Sequence, residues 1–183
     1  MGAIDALTKQ TAGPEALGGV DGFEAWYRGS GPRLAAALAV VAGDADVGRE
    51  AAAEACTRAL ERWGRVGTMG SPEAWAHTVG VNLIRRRWRR AAIERRLVIS
   101  PGPAVAAAPA SLTPELWQAV RTLPVRQRQA IALRYVLDLT QEQVADAMGV
   151  APGTAAATLT TARRHLRALL GHESEPEGAT QHG

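Results

Sequence analysis

Residues 140–170, TQEQVADAMGVAPGTAAATLTTARRHLRALL, contain the signals of two helices joined by a tight turn. Thr140 and Gln143 form a capping box at the start of the first helix. Gly149 stands where a left-handed residue ends that helix, and Pro152 stands where the second helix would begin. Two helices joined by a short, glycine-containing turn are typical of helix-turn-helix units that bind DNA. An ordinary helical hairpin is the alternative.

Apolar residues recur along the second of these helices at the spacing of a single buried face. The residues expected in this packing stripe are Ala155, Leu159, Ala162, Leu166 and Leu169. The opposite face is then free to meet a partner.

The composition favours a helical, intracellular protein. A chain of 183 residues can form one or two small domains, and its alanine-rich stretches suit helices better than strands. We therefore predict an all-α fold. The single cysteine, Cys56, excludes an intramolecular disulfide and is expected to be buried. No apolar run is long enough to span a membrane and the N-terminus lacks a signal-peptide core, so the default compartment is the cytoplasm.

Positive charge is concentrated in two parts of the chain. Residues 21–98 carry thirteen arginines and nine acidic residues, and residues 113–171 carry seven arginines and four acidic residues. Acidic residues dominate the two ends. Two basic bodies are typical of a protein whose partner is a polyanion.

The predicted organisation is two small helical domains joined by a Pro/Ala-rich linker. The linker is uncharged and contains three prolines, and the two ends lack apolar periodicity. The boundaries are a disordered tail at 1–20, a first module at 21–96, a linker at 97–112, a second module at 113–171 and a disordered tail at 172–183.

Three helices are predicted in the first module. The first ends near Gly43, and the second runs from about Asp46 to Trp63, with Asp44 or Asp46 at its start. After a loop at 64–70, the third runs from Pro72 to about Arg96, with Ser71 as its N-cap. The residues expected to face inward are Phe23, Trp26, Tyr27, Leu34, Leu38 and Val41 on the first helix, and Ala52, Cys56, Ala59, Leu60 and Trp63 on the second.

The third helix carries an aromatic residue, an amide and then cations along one face. Trp75, Asn82, Arg85 and Arg89 share this face, and Arg86 lies at its edge. Aromatic rings stack on unpaired bases, amides read base edges and arginines neutralise phosphates. This face is therefore predicted to bind nucleic acid. The alternative is that Trp75 belongs to the core and that the arginines only solvate the end of the helix.

Three stretches carry a resemblance to a known family. They are FEAWYRGSGPRL (23–34), SPEAWAHTVGVNLIRRRWRR (71–90) and LPVRQRQAIALRYVLDLTQEQVADAMGV (123–150). In their order and spacing, the chain from about Asp21 to Leu170 resembles an extracytoplasmic-function (ECF) sigma factor, an initiation subunit of bacterial RNA polymerase. The run that begins SPEAW resembles a branch common in actinobacteria.

The resemblance implies a role for each module. The first module would be region two, which binds the polymerase clamp and melts the −10 element, and the second would be region four, which reads the −35 element. The linker would thread through the polymerase, and the loop at 64–70 would capture a flipped base. Core RNA polymerase and promoter DNA are the implied partners, and an anti-sigma protein is left open as a further one.

The resemblance also implies site residues. Those implied to contact the polymerase are Glu50, Glu54, Arg58 and Arg62. The alternative is that these side chains form only a solvated helix face with charge pairs along it. Those expected at the −10 element are Trp75, Asn82, Arg85, Arg86 and Arg89. Those expected at the −35 element are Gly153, Thr154, Ala157, Thr160, Thr161, Arg163, Arg164, Arg167 and Arg126, with Arg128 as a further phosphate contact.

Two departures from the family pattern bear on function. Ala53 stands where relatives have an amide, which predicts weaker binding to the core enzyme. In the recognition helix, alanine and threonine replace the usual cations, and no side chain before Arg163 can contact guanine in a bidentate manner. The sequence therefore predicts weak or unusual −35 readout that depends on phosphate contacts.

Three functional interpretations follow. The first is an active sigma factor, and the second is a sigma-like regulator or degenerate paralogue that initiates poorly. The third is a stand-alone helix-turn-helix repressor or a helical RNA-binding protein, neither of which accounts for the first module. Enzyme activity is not expected, because the four histidines are scattered and no nucleophile or metal-ligand constellation is present. No cofactor is expected.

Overall fold

All regular elements in the described part of the chain are helical, which confirms the predicted all-α fold. The computed structural model describes residues 19–97, 109 and 112–172. The predicted tails, apart from residues 19, 20 and 172, and most of the linker lie outside these residues. In chain order, the elements are α1 (Val20–Ala42), α2 (Ala45–Glu61), α3 (Trp63–Val66), α4 (Pro72–Leu97), α5 (Pro114–Thr122), α6 (Val125–Ile131), a π-helical turn (Ala132–Val136), α7 (Gln141–Met148) and α8 (Pro152–His172).

Helices α1 and α2 are joined by a two-residue turn whose chemistry the sequence predicted. Gly43 ends α1 in the left-handed conformation, with φ of 72°, and Asp44 caps α2 by accepting hydrogen bonds from the N–H groups of Asp46 and Val47 at 2.9 and 3.0 Å. The two helices then approach closely, because Gly48 leaves no side chain between them. A Cβ atom at Gly48 would lie 2.3 Å from the backbone nitrogen of Ala39.

The predicted loop at 64–70 is shorter than expected. Its first part forms α3, and Val66 and the half-buried Met69 pack against the core. The ring of Trp63 lies edge-on to Phe23, with 5.4 Å between ring centroids. Burial of these apolar side chains draws the segment onto α1, so less of it is free to meet a ligand.

Helix α4 begins and ends close to the predicted positions. The hydroxyl of Ser71 accepts a hydrogen bond of 3.2 Å from the N–H of Ala74. The carboxylate of Glu73 accepts two hydrogen bonds of 2.7 Å from α1, donated by Trp26 Nε1 and Ser30 Oγ. These contacts fix the start of α4 against α1, a link that residue spacing could not predict.

The helix-turn-helix is confirmed in each of its predicted signals. Thr140 and Gln143 form a reciprocal capping box, with hydrogen bonds of 2.9 and 3.2 Å. Gly149 ends α7 in the left-handed conformation, with φ of 64°, and α8 begins at Pro152. Every helix in the described part of the chain is too short or too polar to cross a bilayer.

The helices of the two predicted modules pack against each other. One apolar cluster contains Leu38 and Val41 of α1 together with Trp117 of α5 and Leu133 of the π-helical turn. Polar contacts add to it, since Arg33 Nε donates a hydrogen bond of 3.0 Å to the carbonyl of Val136. In this structure the modules therefore share a core in addition to any connection through the linker.

Three apolar residues expected in the interior are exposed. Tyr27, Leu60 and Leu169 have exposed fractions of 49, 44 and 40%. Each lies at the edge of a buried helical stripe, whose width the spacing of apolar residues does not define. Tyr27 stacks on Phe23 with 5.8 Å between ring centroids, so its apolar face is partly covered.

Candidate nucleic-acid interface

Helix α4 presents most of its predicted nucleic-acid face to solvent. Asn82, Arg85, Arg86 and Arg89 are exposed along one side of the helix, over roughly 10 Å at the α-helical rise. Trp75, about two turns nearer the start of α4 than Asn82, is half-buried against the core cluster. The structure thus brings the amide and the cations together on the surface, while the aromatic ring contributes to packing as well.

The second module contacts this same side of α4. The side chain of Arg85 lies 3.5 Å from the amide oxygen of the buried Gln129, measured from its terminal nitrogen. The hydroxyl of Thr78 donates to the carbonyl of Ala74 at 2.9 Å and lies 3.4 Å from the carbonyl of Ala147 in α7. The face predicted to meet DNA is therefore shared between solvent and the helix-turn-helix module.

His77 lies on the core-facing side of α4 with Val81 and Ile84, and it is fully buried. Neither ring nitrogen has a hydrogen-bond partner among the described residues. Burial, and then the positive charge of Arg85, lower its pKa from the ordinary 6.5 to about 3. The imidazole is therefore neutral at physiological pH. Within residues 19–97 and 112–172, no group of histidine, cysteine and acidic side chains is arranged to hold a metal ion.

The residues assigned to polymerase binding lie along the exposed side of α2. Glu54 and Arg58 form an ion pair at 2.8 Å, and Glu50 pairs with Arg87 of α4. Arg62 is exposed immediately after the helix. A groove of about 650 Å³ lies between α2 and α4 and has an apolar floor that includes Val47, Leu83 and Ile84. The charged side chains that line it are Glu50, Glu54, Arg58, Arg86, Arg87 and Arg90. The contribution of Arg87 and Arg90 to this groove was missed, because it depends on how the two helices pack.

Helix α8 presents a face of short side chains followed by arginines. The exposed residues of the predicted −35 set are Gly153, Thr154, Ala157, Thr160, Arg163, Arg164, Arg167 and Arg126, and Thr161 is half-buried. Ala155, Leu159 and Ala162 are buried on the opposite side, as predicted. The guanidinium of Arg163 donates to the hydroxyl of Thr160 at 3.3 Å. In the first two turns of this face, no exposed side chain is therefore longer than that of threonine.

Arg128, the further predicted phosphate contact, uses its guanidinium for hydrogen bonds within the protein. Its half-buried guanidinium donates hydrogen bonds to the carbonyls of Val41, Arg121 and Leu123 at 3.0, 3.1 and 3.0 Å. Burial, and then the charge of Arg121, lower its pKa. In this arrangement Arg128 supports the packing of the modules and does not face a phosphate.

Comparisons with known proteins concern the C-terminal helices and the overall fold. Residues 114–166, which span α5 to most of α8, match the family described as Sigma-70, region 4. The structure is similar to the sigma factor RpoE from Bartonella quintana, solved in complex with the anti-sigma factor NepR, with a TM-score of 0.70 and 21% identity. That likeness covers 83% of this chain and 98% of the RpoE chain. No curated protein sequence matches the chain. The C-terminal helices therefore match the Sigma-70 region 4 family, and the chain has a fold similar to that of RpoE.

Proposed function

We propose that this chain is a sigma factor of the ECF type, which binds core RNA polymerase in the cytoplasm and directs promoter recognition and initiation. The observation that carries the proposal is the extent of the likeness to RpoE, which covers 83% of this chain and is therefore not confined to the helix-turn-helix module. A stand-alone repressor would need the helix-turn-helix alone. The arginine-rich face of α4 gives the first module a role with nucleic acid that a repressor does not require.

The proposed roles follow the three exposed surfaces. The exposed side of α2 would bind the polymerase, through Glu50, Glu54, Arg58 and Arg62. The face of α4 would bind the −10 element, through Trp75, Asn82, Arg85, Arg86 and Arg89. The outward face of α8, with Arg126 of α6, would bind the −35 element, through Gly153, Thr154, Ala157, Thr160, Thr161, Arg163, Arg164 and Arg167. Membership of an actinobacterial branch stays a prediction from the sequence.

Co-purification with core RNA polymerase tests the proposal. The variant Glu54→Arg with Arg58→Glu reverses both charges but retains an intrahelical pair, so it should keep its helicity by circular dichroism. We expect it to lose at least about tenfold in polymerase affinity, since reversed charges meet like charges across an interface. The matched control exchanges Asp46 and Arg49, an ion pair on the same helix that lies away from the groove.

The outcomes separate the possible failures. If the wild-type chain does not bind polymerase, the sigma function is wrong. If it binds and the Glu54/Arg58 exchange has no greater effect than the control exchange, the polymerase contact lies elsewhere than on this part of α2.

A second candidate is a sigma-like regulator that binds polymerase but initiates poorly. The short side chains on the first turns of α8 favour it, because they offer no bidentate contact to guanine before Arg163. Run-off transcription from a pool of randomised promoters with purified core enzyme distinguishes the two. Sequence-selective transcripts support the active factor, whereas polymerase binding without transcripts supports the regulator.

An anti-sigma protein is a further proposed partner. It is supported by the RpoE structure, in which a chain of the same fold was solved with its anti-sigma factor. A co-purified protein that blocks polymerase binding by the wild-type chain would identify such a partner.

A further inference from the structure

A groove of about 600 Å³, which we call the α5–α8 groove, is lined by the end of α1, α5, the π-helical turn and α8. It lies apart from the surfaces proposed to bind polymerase and the −10 element. Its floor contains the buried side chains of Val40, Val120 and Ile131, and half-buried leucines such as Leu116 and Leu166 form its walls. Apolar side chains from separate elements thus converge on a space that the described part of the chain leaves open.

The charged side chains that line this groove, among the described residues, are both arginines. Arg163 and Arg167 lie one turn apart on α8, and the exposed Tyr135 adds a hydroxyl group. Arg163 donates to the hydroxyl of Thr160 at 3.3 Å, whereas Arg167 makes no hydrogen bond or ion pair with the rest of the described chain. The α8 side of the groove is therefore positively charged, and no described acidic side chain that lines the groove balances it.

The helical phase of α8 explains why these arginines belong to the groove. Arg163, Leu166, Arg167 and Leu170 recur at spacings of three and four residues, so they share one side of the helix. Arg164 is rotated from Arg163 by about 100° and does not line the groove. Two arginines of the predicted −35 set therefore flank an apolar groove, whereas Arg164 does not.

This composition suits a small amphipathic anion. Ligand sites are typically concave and apolar, with volumes of about 300–1,000 Å³ and a few polar groups that orient the ligand. Arginine binds carboxylates through paired hydrogen bonds. The last carbonyls of α8, near Gly171, carry partial negative charge and disfavour an anion at that end of the groove. The charged head is therefore expected at Arg163 and Arg167, and the apolar chain over the floor.

We propose that the α5–α8 groove binds a medium-chain fatty carboxylate, whose head pairs with Arg163 and Arg167 and whose chain covers the apolar floor. The ligand would neutralise two of the arginines proposed to contact the −35 element, so its binding should weaken the affinity for duplex DNA. This consequence rests on the proposed function of α8, whereas the ligand site itself does not.

Isothermal titration calorimetry of the full chain with decanoate, below its micelle concentration, tests the site. We expect saturable binding with a negative heat-capacity change, and affinity that rises from hexanoate to octanoate to decanoate by up to about fourfold per methylene. Decanol and decyltrimethylammonium have the same chain but cannot accept the paired hydrogen bonds of a guanidinium. They should bind at least about tenfold more weakly.

Two variants with matched controls locate the site. Arg163→Gln with Arg167→Gln should weaken decanoate binding at least about tenfold, whereas Arg164→Gln should leave it unchanged. Leu116→Glu adds a carboxylate to the groove wall, in the first turn of α5, where an acidic residue suits the helix dipole. It should weaken binding by a similar factor, whereas Gln118→Glu, exposed on the same helix, should not. Circular dichroism checks that the variants keep their helicity.

Absence of saturable decanoate binding would overturn the proposal. Equal affinity for decanol, or equal effects of each variant and its control, would overturn it as well. Equilibrium sedimentation tests another occupant, because a dimer that decanoate does not dissociate would assign the groove to a second copy of the chain.

The consequence for DNA is measured separately. Saturating decanoate should weaken binding of the wild-type chain to a duplex by at least about threefold, and should not affect the variant with Arg163→Gln and Arg167→Gln. If decanoate binds but duplex affinity does not change, the −35 role of these two arginines is wrong and the ligand site stands. If decanoate does not bind while polymerase and DNA do, only the ligand site is wrong.

Discussion

The guanidinium of Arg128 donates a hydrogen bond of 3.0 Å to the carbonyl of Val41, which lies 87 residues earlier in the chain. Val41 belongs to the last turn of α1, where carbonyls have no partner within the helix. The same guanidinium satisfies the carbonyls of Arg121 and Leu123 at the end of α5. One side chain therefore completes the ends of two helices from different modules.

Arg128→Ala should lower the free energy of unfolding by about 3 kcal/mol, because it leaves three carbonyls without their charged donor. Urea denaturation followed by circular dichroism measures the change. The matched control is Arg126→Ala, at an exposed position two residues earlier. It should change stability by no more than about 0.5 kcal/mol. Equal effects at the two positions would contradict a structural role for Arg128.

His77 should make folding sensitive to mild acid. Its pKa is about 3 in the folded chain and 6.5 when unperturbed, so the unfolded state gains a proton first as the pH falls. The free energy of unfolding therefore keeps its full value above about pH 6.5. It decreases as the pH falls from 6.5 towards 3, because in this range the unfolded state binds a proton that the folded state does not. Between pH 7 and pH 5, His77 alone should lower the free energy of unfolding by about 2 kcal/mol.

His77→Leu removes the titrating group and the two unpartnered ring nitrogens while it keeps an apolar side chain in the core. The difference in unfolding free energy between variant and wild type, measured at pH 7, 6 and 5, should grow in favour of the variant as the pH falls. A constant difference across this range would show that His77 is not the source of the acid sensitivity.

Gly48 and Gly29 should respond oppositely to the same substitution. Gly48→Ala would place a Cβ 2.3 Å from the nitrogen and 2.4 Å from the Cα of Ala39, and neither backbone atom can move without separating α1 from α2. We expect a loss of about 3 kcal/mol or more. Gly29→Ala meets nothing within 4 Å inside α1 and should stabilise by about 0.5–1 kcal/mol. Thermal denaturation of both variants checks the pair, and a tolerated Gly48→Ala would contradict the close helix crossing.

Trp75 and Asn82 should act in melting more than in initial binding. In the proposed holoenzyme, Trp75→Ala with Asn82→Ala should reduce permanganate-detected open complex at least about tenfold, since stacking on one unpaired base is worth roughly 1–3 kcal/mol. Closed-complex affinity, measured by gel shift at low temperature, should change less. Equal losses in both measurements would assign Trp75 to packing alone.

The outward face of α8 should bind DNA with strong salt dependence and little sequence preference. Replacement of Arg164 with alanine should weaken binding to all duplexes alike and reduce the salt slope by about one unit. Thr160→Arg should add roughly 1–3 kcal/mol of discrimination at a guanine. Titrations of the full chain on matched and scrambled duplexes at several salt concentrations check both effects. A wild-type preference above about a thousandfold would contradict weak readout.

The sequence predicted those features that neighbouring residues encode. Asp44, Ser71 and the Thr140–Gln143 capping box mark helix starts through hydrogen bonds within three residues of themselves. Gly149 ends α7 because a left-handed residue is needed there. Such signals can be read from the sequence because both partners lie in the same short segment.

The features that were missed depend on contacts between distant segments. The pairing of Glu73 with Trp26, of Arg128 with Val41 and of Glu50 with Arg87 joins residues that lie far apart in the chain. Helical spacing also could not show that Leu60 and Leu169 lie outside the buried stripe. His77 is buried and has no hydrogen-bond partner among the described residues because residues from distant segments pack around it. The residues next to it in the sequence do not indicate this.

The π-helical turn has a consequence for how the chain tolerates insertion and deletion. Its wide turn closes with the N–H of Leu137 on the carbonyl of Ala132, five residues earlier, at 3.0 Å. Removal of one residue would let α6 continue as a regular helix, but everything beyond would rotate by about 100°. The buried Leu137 and Leu139 would then leave the shared core, and the carbonyl of Val136 would turn away from Arg33. The turn therefore sets the orientation of the helix-turn-helix relative to α1. A change of its length would rotate all of the following helices out of their present contacts.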